Sequence, residues 1–137
     1  MLRLAAAALV SALTLAACGG NAGDLEAFCA AAGEAAEASR DVDRASGADE
    51  LRDAYEAMDV HIQEMARTAP EDVAGDMRRV VQAWDANLEA LDDAEYDVAE
   101  VSEPEDPEEG DEFAAAGNEV EEFVTDECDV ELDTGPR

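Results

Sequence analysis

The segment 51-LRDAYEAMDVHIQEM-65 decides the fold class of this chain. Its large apolar residues are alternately four and three positions apart. They are Leu51, Tyr55, Met58, Ile62 and Met65. Because an α-helix repeats every 3.6 residues, this spacing places them on one face and leaves the opposite face charged. The segment therefore predicts an amphipathic helix over residues 48–67 that must pack against other helices.

Three further stretches have helical periodicity, and none alternates as a strand would. They predict helices over residues 24–39, 70–92 and 111–128. The predicted inward faces are Leu25, Phe28, Cys29, Ala32 and Ala36; then Val73, Met77, Val80, Trp84, Leu88 and Leu91; then Phe113, Gly117, Val120, Val124 and Cys128. Asp24 is the expected N-cap of the first helix, and Thr68 with Glu71 is the expected capping box of the third.

The connections between these segments indicate how the helices are arranged. About eight residues separate the first two helices, and two or three separate the next two. Short connections favour antiparallel neighbours, so the start of the first helix and the end of the fourth share one end. We therefore predict an all-α, up-down-up-down four-helix bundle closed by one disulfide, with its domain at residues 24–128.

The N-terminus indicates where the protein is located. Arg3 precedes an apolar run, Leu4–Leu15, that is shorter than the roughly 20 residues of a membrane span. The run ends in Leu15-Ala16-Ala17-Cys18, which is typical of a lipobox. We expect residues 1–17 to be a signal peptide and residues 18–23 a lipidated tether, with diacylglycerol and palmitate on Cys18 and the domain outside the cell membrane. An ordinary secretory peptide and a cytoplasmic chain with an apolar N-terminal helix are the alternatives.

The other two cysteines form an even pair. Outside the cytoplasm, Cys29 and Cys128 indicate a disulfide. Intermolecular pairing and free thiols are the alternatives. Two cysteines and the single His61 supply too few ligands for a metal site of the zinc type, and we expect neither a metal nor a cofactor.

The charge of the chain excludes one class of partner. All 37 acidic residues follow Cys18, against seven arginines and no lysine, so residues 18–137 carry a net side-chain charge of −30. Nucleic acid is not an expected partner, because its binding depends on basic residues that neutralise phosphates. A solvated, self-repelling surface is the simplest interpretation. A loose cation sink and an adaptation to saline surroundings are the alternatives.

Acidic residues are densest between the third and fourth helices. Twelve of the 21 residues from Asp92 to Glu112 are acidic and none is basic. Pro104 and Pro107 interrupt the segment, and we expect a mobile connection at residues 93–110 with a turn or short helix near residues 94–101. Its candidate interaction residues are Glu103, Glu105, Asp106, Glu108, Glu109, Asp111 and Glu112. We expect residues 129–137 to form a C-terminal tail that carries Val130 and Leu132 among acidic residues and then frays.

Several motifs resemble those of small, uncharacterised, alanine-rich exported proteins of actinobacteria, many of them lipoproteins. The matching stretches are Phe28-Cys29, 68-TAPEDV-73 with 79-RVV-81, and 120-VEEFV-124 followed by Cys128. In that group glycine commonly follows the last cysteine, whereas this chain has Asp129. The resemblance implies a disulfide-linked helical fold and carries no activity.

The chain offers few residues for catalysis. It lacks lysine and a GxSxG elbow, and His61 lies beside the apolar stripe of the second predicted helix, where we expect a flanking role. We expect a non-catalytic envelope lipoprotein of unknown specific role that presents an acidic helical domain to a basic protein partner or as surface structure. The alternative is an extracytoplasmic binding module for cations or a small cationic ligand.

Overall fold

A computed structural model describes residues 23–101 and 107–132. These residues form four helices: α1 Leu25–Arg44, α2 Ala48–Thr68, α3 Glu71–Asp93 and α4 Pro107–Cys128. They contain no strand, which confirms the all-α class. Within the same ranges no helix has the length and apolar character needed to cross a membrane.

The helices form a four-membered ring. Each helix contacts the next along the chain, and α4 returns to contact α1. Within residues 23–101 and 107–132, the Cα atoms of diagonally opposite helices do not come within 8 Å of each other. The Asp24 amide donates to the Thr68 carbonyl at 2.9 Å, which joins the start of α1 to the end of α2. The two helices are therefore antiparallel, and the up-down-up-down bundle is confirmed.

The core combines a few large side chains with many small ones. Phe28, Met77, Val73 and Val124 are the largest fully buried side chains. From α1 come five buried alanines: Ala31, Ala32, Ala35, Ala36 and Ala38. Because alanine side chains are short, α1 can approach α2 closely, and this pair has the most extensive contact in the ring. Leu25, expected on the inward face, is instead 40 % exposed.

Two helices are longer than their periodicity indicates. α1 continues five residues past the predicted end at residue 39, where the Arg44 guanidinium binds the Asp41 carboxylate at 3.0 Å. α4 begins at Pro107 rather than residue 111, because proline is tolerated in the first turn of a helix. Residue 93 and residues 107–110 of the predicted connection therefore belong to helices. Residues 94–100 form turns, and residues 102–106 lie outside the described residues.

Of the two predicted N-caps, one is confirmed and one is wrong. The Asp24 carboxylate accepts from the Ala27 amide at 3.1 Å, as expected. The predicted capping box of α3 does not form, since α3 begins after Pro70 without a side-chain cap. Thr68 is instead the last residue of α2, and its hydroxyl donates to the Glu64 carbonyl at 2.7 Å.

The end of α3 turns sharply without a glycine. The Tyr96 amide donates to the Leu91 carbonyl at 2.7 Å and the Glu95 amide to the Asp92 carbonyl at 3.0 Å. These are the two bonds of a Schellman motif, with Glu95 at φ 51° in the position that usually holds glycine. The turn directs Tyr96 inward, where it is 7 % exposed, whereas Val98 is 64 % exposed.

The tail after α4 folds back onto the bundle. Asp129 reverses the chain at φ 53°, and the Val130 carbonyl accepts from the Thr125 hydroxyl at 3.3 Å. Leu132 joins the core at 8 % exposure. The described part of the predicted tail, residues 129–132, therefore packs against the bundle, because two apolar side chains gain burial there. Residues 133–137 lie outside the described residues.

Candidate functional site: the two seams of the bundle

Contacts within the ring divide the molecule into two helical hairpins. They are more extensive within α1–α2 and within α3–α4 than between these pairs. The hairpins meet along an α2–α3 seam and an α1–α4 seam. The α2–α3 turn at Ala69–Pro70 and the disulfide lie at one end of the bundle, which we call the linked end. The other end, which we call the open end, has the α1–α2 loop and the turns at residues 94–100.

The Cys29–Cys128 disulfide closes the α1–α4 seam at the linked end. It is intramolecular, as predicted, with 5.2 Å between the Cα atoms and a sequence separation of 99. Beside it, the Phe28 and Phe123 rings meet edge to face at 5.8 Å. The α1–α4 contact is the thinnest in the ring. The disulfide therefore links the two neighbouring helices whose backbones approach each other least closely.

The chain enters the domain at the linked end. A Cβ atom on Gly23 would lie 2.0 Å from the Ala69 carbonyl oxygen, so no larger residue fits against this turn. The domain is thus fixed from residue 23 onward. Cys18, the predicted lipidation site, lies outside the described residues with the rest of residues 1–22.

Aromatic and polar side chains close the α2–α3 seam. Tyr55 stacks on Trp84 at 5.4 Å and lies 6.4 Å from Tyr96, and the Arg52 guanidinium lies 5.0 Å from the centre of the Tyr96 ring. The Trp84 indole N–H donates to the Asp59 carboxylate at 3.0 Å. Periodicity predicted inward positions for Tyr55 and Trp84. It could not place Tyr96 and Arg52 beside them, since that contact depends on the turn after α3.

The protonation of Tyr55 follows from this packing. Burial raises the pKa of its phenol, and the nearby Asp43 carboxylate and Tyr96 raise the pKa further. Each of these influences disfavours the phenolate. Tyr55 therefore stays neutral through physiological pH and acts here as a packing group.

The α1–α4 seam, in contrast, is open. A groove of about 660 Å³ runs along it, with Ala36 and Leu132 among its apolar lining. Its polar walls are Ser39, Arg40 and Asp43 from α1, Glu121 and Thr125 from α4, and Glu131 from the tail. Of the residues that line it, Ala36 and Leu132 are buried. Its volume is within the range of roughly 300–1,000 Å³ that is common for ligand sites.

The single histidine joins two helices. His61 Nδ1 lies 3.1 Å from the Glu34 carboxylate, so the pair bridges α2 and α1. Its side chain is 25 % exposed, beside the buried Ile62. The structure places His61 at a helix interface, away from the groove.

The predicted acidic interaction residues lie partly at the start of α4 and partly outside the described residues. Glu108, Asp111 and Glu112 are exposed on the first turns of α4, and Glu109 lies in the same helix. Glu103, Glu105 and Asp106 lie outside the described residues. Within residues 23–101 and 107–132, no group of three Asp, Glu, His or Cys side chains could hold a metal ion.

Comparison with known proteins adds nothing to this geometry. No protein-family model, curated protein or solved structure matches this chain.

Proposed function

We propose that this protein is a non-catalytic lipoprotein, anchored by Cys18 to the outer face of the cell membrane. Its acidic helical domain would bind a basic protein partner. The observation that carries the proposal is the Leu15-Ala16-Ala17-Cys18 motif, which ends five residues before the domain begins at Gly23. An intramolecular disulfide supports it, because such bonds persist mainly in oxidising compartments.

The geometry of the tether sets the orientation. Five residues beyond Cys18 extend at most about 3.5 Å each, so the lipid would hold the linked end close to the bilayer. α1 has 20 residues and rises about 1.5 Å per residue. The open end would then stand about 30 Å farther from the membrane, where another envelope protein can reach it.

The charge of the domain indicates the chemistry of the partner. A net side-chain charge of −30 repels anionic surfaces and attracts cationic ones. Electrostatic complementarity increases the rate of encounter with a basic protein and discriminates against acidic ones. The resemblance to exported actinobacterial proteins agrees with an envelope location and assigns no partner.

The anchor is tested by the substitution Cys18→Ala. Because only Cys18 is positioned to accept the lipid, the variant should move from the detergent phase to the aqueous phase in detergent partitioning, and lipoprotein processing should stop. The double variant Cys29→Ser, Cys128→Ser is the matched control and should stay in the detergent phase. Equal partitioning of Cys18→Ala and wild-type protein would refute the lipoprotein proposal.

The partner is tested by cross-linking the lipidated protein in intact envelopes. We expect a basic protein that is captured at about 0.15 M NaCl and lost at about 1 M, where the screening length falls from about 8 Å to about 3 Å. Capture of acidic proteins only would contradict the proposal.

A further inference from the structure

We propose that the Cys29–Cys128 bridge is a site of thiol–disulfide exchange that admits cationic dithiols and excludes anionic ones. The inference goes beyond the proposed function, since it assigns a reaction to the bridge and does not depend on the lipid anchor. The class of reagent to which it commits is a dithiol that carries a positive charge near its sulfur atoms.

The bridge lies at the edge of the core and not inside it. Cys29 and Cys128 are both half-buried, whereas the neighbouring Phe28 side chain is fully buried. Exchange requires a thiolate to reach one of the two sulfur atoms. Because each cysteine keeps part of its surface in solvent, a small thiol can meet the bridge while the domain stays folded.

Carboxylates surround the bridge. Five exposed acidic residues, which we call the collar, lie within three positions of one or the other cysteine: Glu26, Asp126, Glu127, Asp129 and Glu131. The Cα atoms of the two cysteines are 5.2 Å apart, so carboxylates beside one cysteine also lie near the other. The Glu127 carbonyl oxygen lies 3.9 Å from Cys29 Sγ and directs the negative end of a backbone dipole at the bridge.

Little positive charge compensates the collar. Residues 21–37 and 120–136 contain no arginine and no lysine. Arg67 lies at the same end of the bundle, but its guanidinium binds the Glu64 carboxylate. The collar therefore repels an anionic reagent that approaches the sulfur atoms, and a positive charge on the reagent offsets that repulsion.

Reduction of the bridge by a dithiol takes place in two displacements. One thiolate of the dithiol bonds to a cysteine Sγ while the bond between the two Sγ atoms breaks, and the other cysteine leaves as a thiolate that takes up a proton. The second thiolate of the dithiol then displaces the first cysteine from the mixed disulfide. The dithiol is oxidised to a cyclic disulfide, and the bridge is reduced to two thiols. Negative charge develops beside the collar in both displacements, and a cationic reagent offsets it.

The test compares the rates at which three dithiols reduce the bridge of the full chain in nonionic detergent. They are cationic dithiobutylamine, neutral dithiothreitol and anionic dihydrolipoate. Mass spectrometry after acid quenching follows the reduction, and each rate is divided by the thiolate concentration because the thiolate is the attacking form. At about 0.15 M NaCl the cationic dithiol should react at least about tenfold faster than the anionic one. At about 1 M NaCl, where screening is stronger, this ratio should fall at least about threefold.

Two triple variants separate the collar from the net charge of the domain. Glu26→Gln, Glu127→Gln, Asp129→Asn removes three collar charges and should lower the cationic-to-anionic ratio at least about threefold. The matched control Glu56→Gln, Glu89→Gln, Asp92→Asn removes three exposed carboxylates from α2 and α3 and should leave the ratio unchanged. Circular dichroism checks that both variants keep their helices.

Three results would overturn the proposal. Equal rates for the three dithiols would mean that the collar does not act on the reagent. An equal fall of the ratio in both variants would mean that the net charge of the domain, and not the collar, selects the reagent. Rates that do not depend on the dithiol concentration would mean that unfolding of the domain limits the reaction, so that the folded bridge is not an exchange site.

Discussion

Asp129 adopts a backbone conformation that favours glycine. It follows the last residue of α4 with φ 53°, in the left-handed region, where a Cβ atom crowds the following carbonyl oxygen. We expect Asp129→Gly to raise the free energy of unfolding by about 0.5–1 kcal/mol, since relief of strain exceeds the extra entropy of the unfolded chain. Chemical denaturation monitored by circular dichroism measures it.

A glycine substitution inside α4, the helix that Asp129 follows, is the control for this prediction. Glu122 is exposed in the regular part of α4, so Glu122→Gly should lower the free energy of unfolding by about 1 kcal/mol. Asp129→Gly could instead destabilise the domain as much as Glu122→Gly does. The Asp129 carboxylate would then stabilise the fold by more than the left-handed backbone conformation destabilises it.

The start of α2 is stabilised by the Glu50 side chain, which accepts hydrogen bonds from Ser46, four residues earlier in the chain. The Glu50 carboxylate accepts from the Ser46 amide at 2.9 Å and from the Ser46 hydroxyl at 2.7 Å. These two bonds, the backbone one first, lower the pKa of Glu50. Their stabilisation is present above the unfolded pKa and is lost as pH falls through the lower folded pKa. Ser46→Ala should raise the pKa only part of the way to its ordinary value, because the backbone donor remains. NMR titration of the Glu50 carboxyl carbon measures this.

Glu64 serves as the reference in the same titration. Its pKa is lowered by the hydrogen bond and charge of Arg67, far from Ser46. The pKa of Glu64 should therefore be the same in wild-type protein and in Ser46→Ala. An unchanged Glu50 pKa in the variant would show that the hydroxyl contributes nothing to the start of the helix.

Periodicity predicts the four helices well, since each buries a stripe of apolar residues and the spacing records it. It fails at helix ends, where apolar residues are few. Residues 40–44 extend α1 although their side chains are mostly charged. The first turn of α4 lies in the acidic segment that was predicted to be a connection. Thr68 has the spacing of a capping box. Because α2 does not end before Thr68, its hydroxyl is already bonded to Glu64.

The candidate site was less accessible to prediction from the sequence. The disulfide follows from cysteine pairing and topology together. The groove does not, because it depends on the separation between α1 and α4 and on the return of the tail. The sequence signal for the groove is weak: small and polar residues on the facing sides of α1 and α4, with Leu132 following the last helix. Tyr96 is inward only because Glu95 and Tyr96 both adopt positive φ without a glycine to signal it.

Stability of the whole domain depends strongly on the disulfide. The bridge joins cysteines with a sequence separation of 99, and loop-closure entropy for a loop of about 100 residues contributes about 4.7 kcal/mol in the chain-entropy model. Cys29→Ser with Cys128→Ser should lower the free energy of unfolding by about 3–5 kcal/mol in chemical denaturation. Reducing agent should destabilise wild-type protein and leave the double variant unchanged. A loss below about 1 kcal/mol would mean that the reduced chain is already constrained near its native topology.

The charge of the molecule makes its stability depend on salt. The described arginine–carboxylate ion pairs join residues three apart in one helix, namely Arg44–Asp41, Arg52–Asp49, Arg67–Glu64 and Arg79–Asp76. Exposed pairs of this kind stabilise little, and most of the 37 carboxylates face like charge. The thermal midpoint should therefore rise steeply as NaCl increases from about 0.02 to about 1 M, because screening weakens the repulsion that opposes the compact state.

Potassium chloride is the control for that series. If screening causes the rise, potassium and sodium chloride should give the same midpoints at equal concentration. A midpoint that stays flat or falls with added salt would mean that the carboxylates are compensated by a mechanism other than the described ion pairs.

The position of the disulfide also determines how the protein transmits mechanical force. Tension between residue 23 and the tail would pass along the first turns of α1 to Cys29, across the sulfur–sulfur bond to Cys128, and out through residue 129. The intervening residues, which include almost the whole bundle, lie outside that path. A force applied to the tail would therefore act on the disulfide and the few residues beside it, and the helices would keep their packing. In the reduced chain, the same force would unfold the helices from both ends.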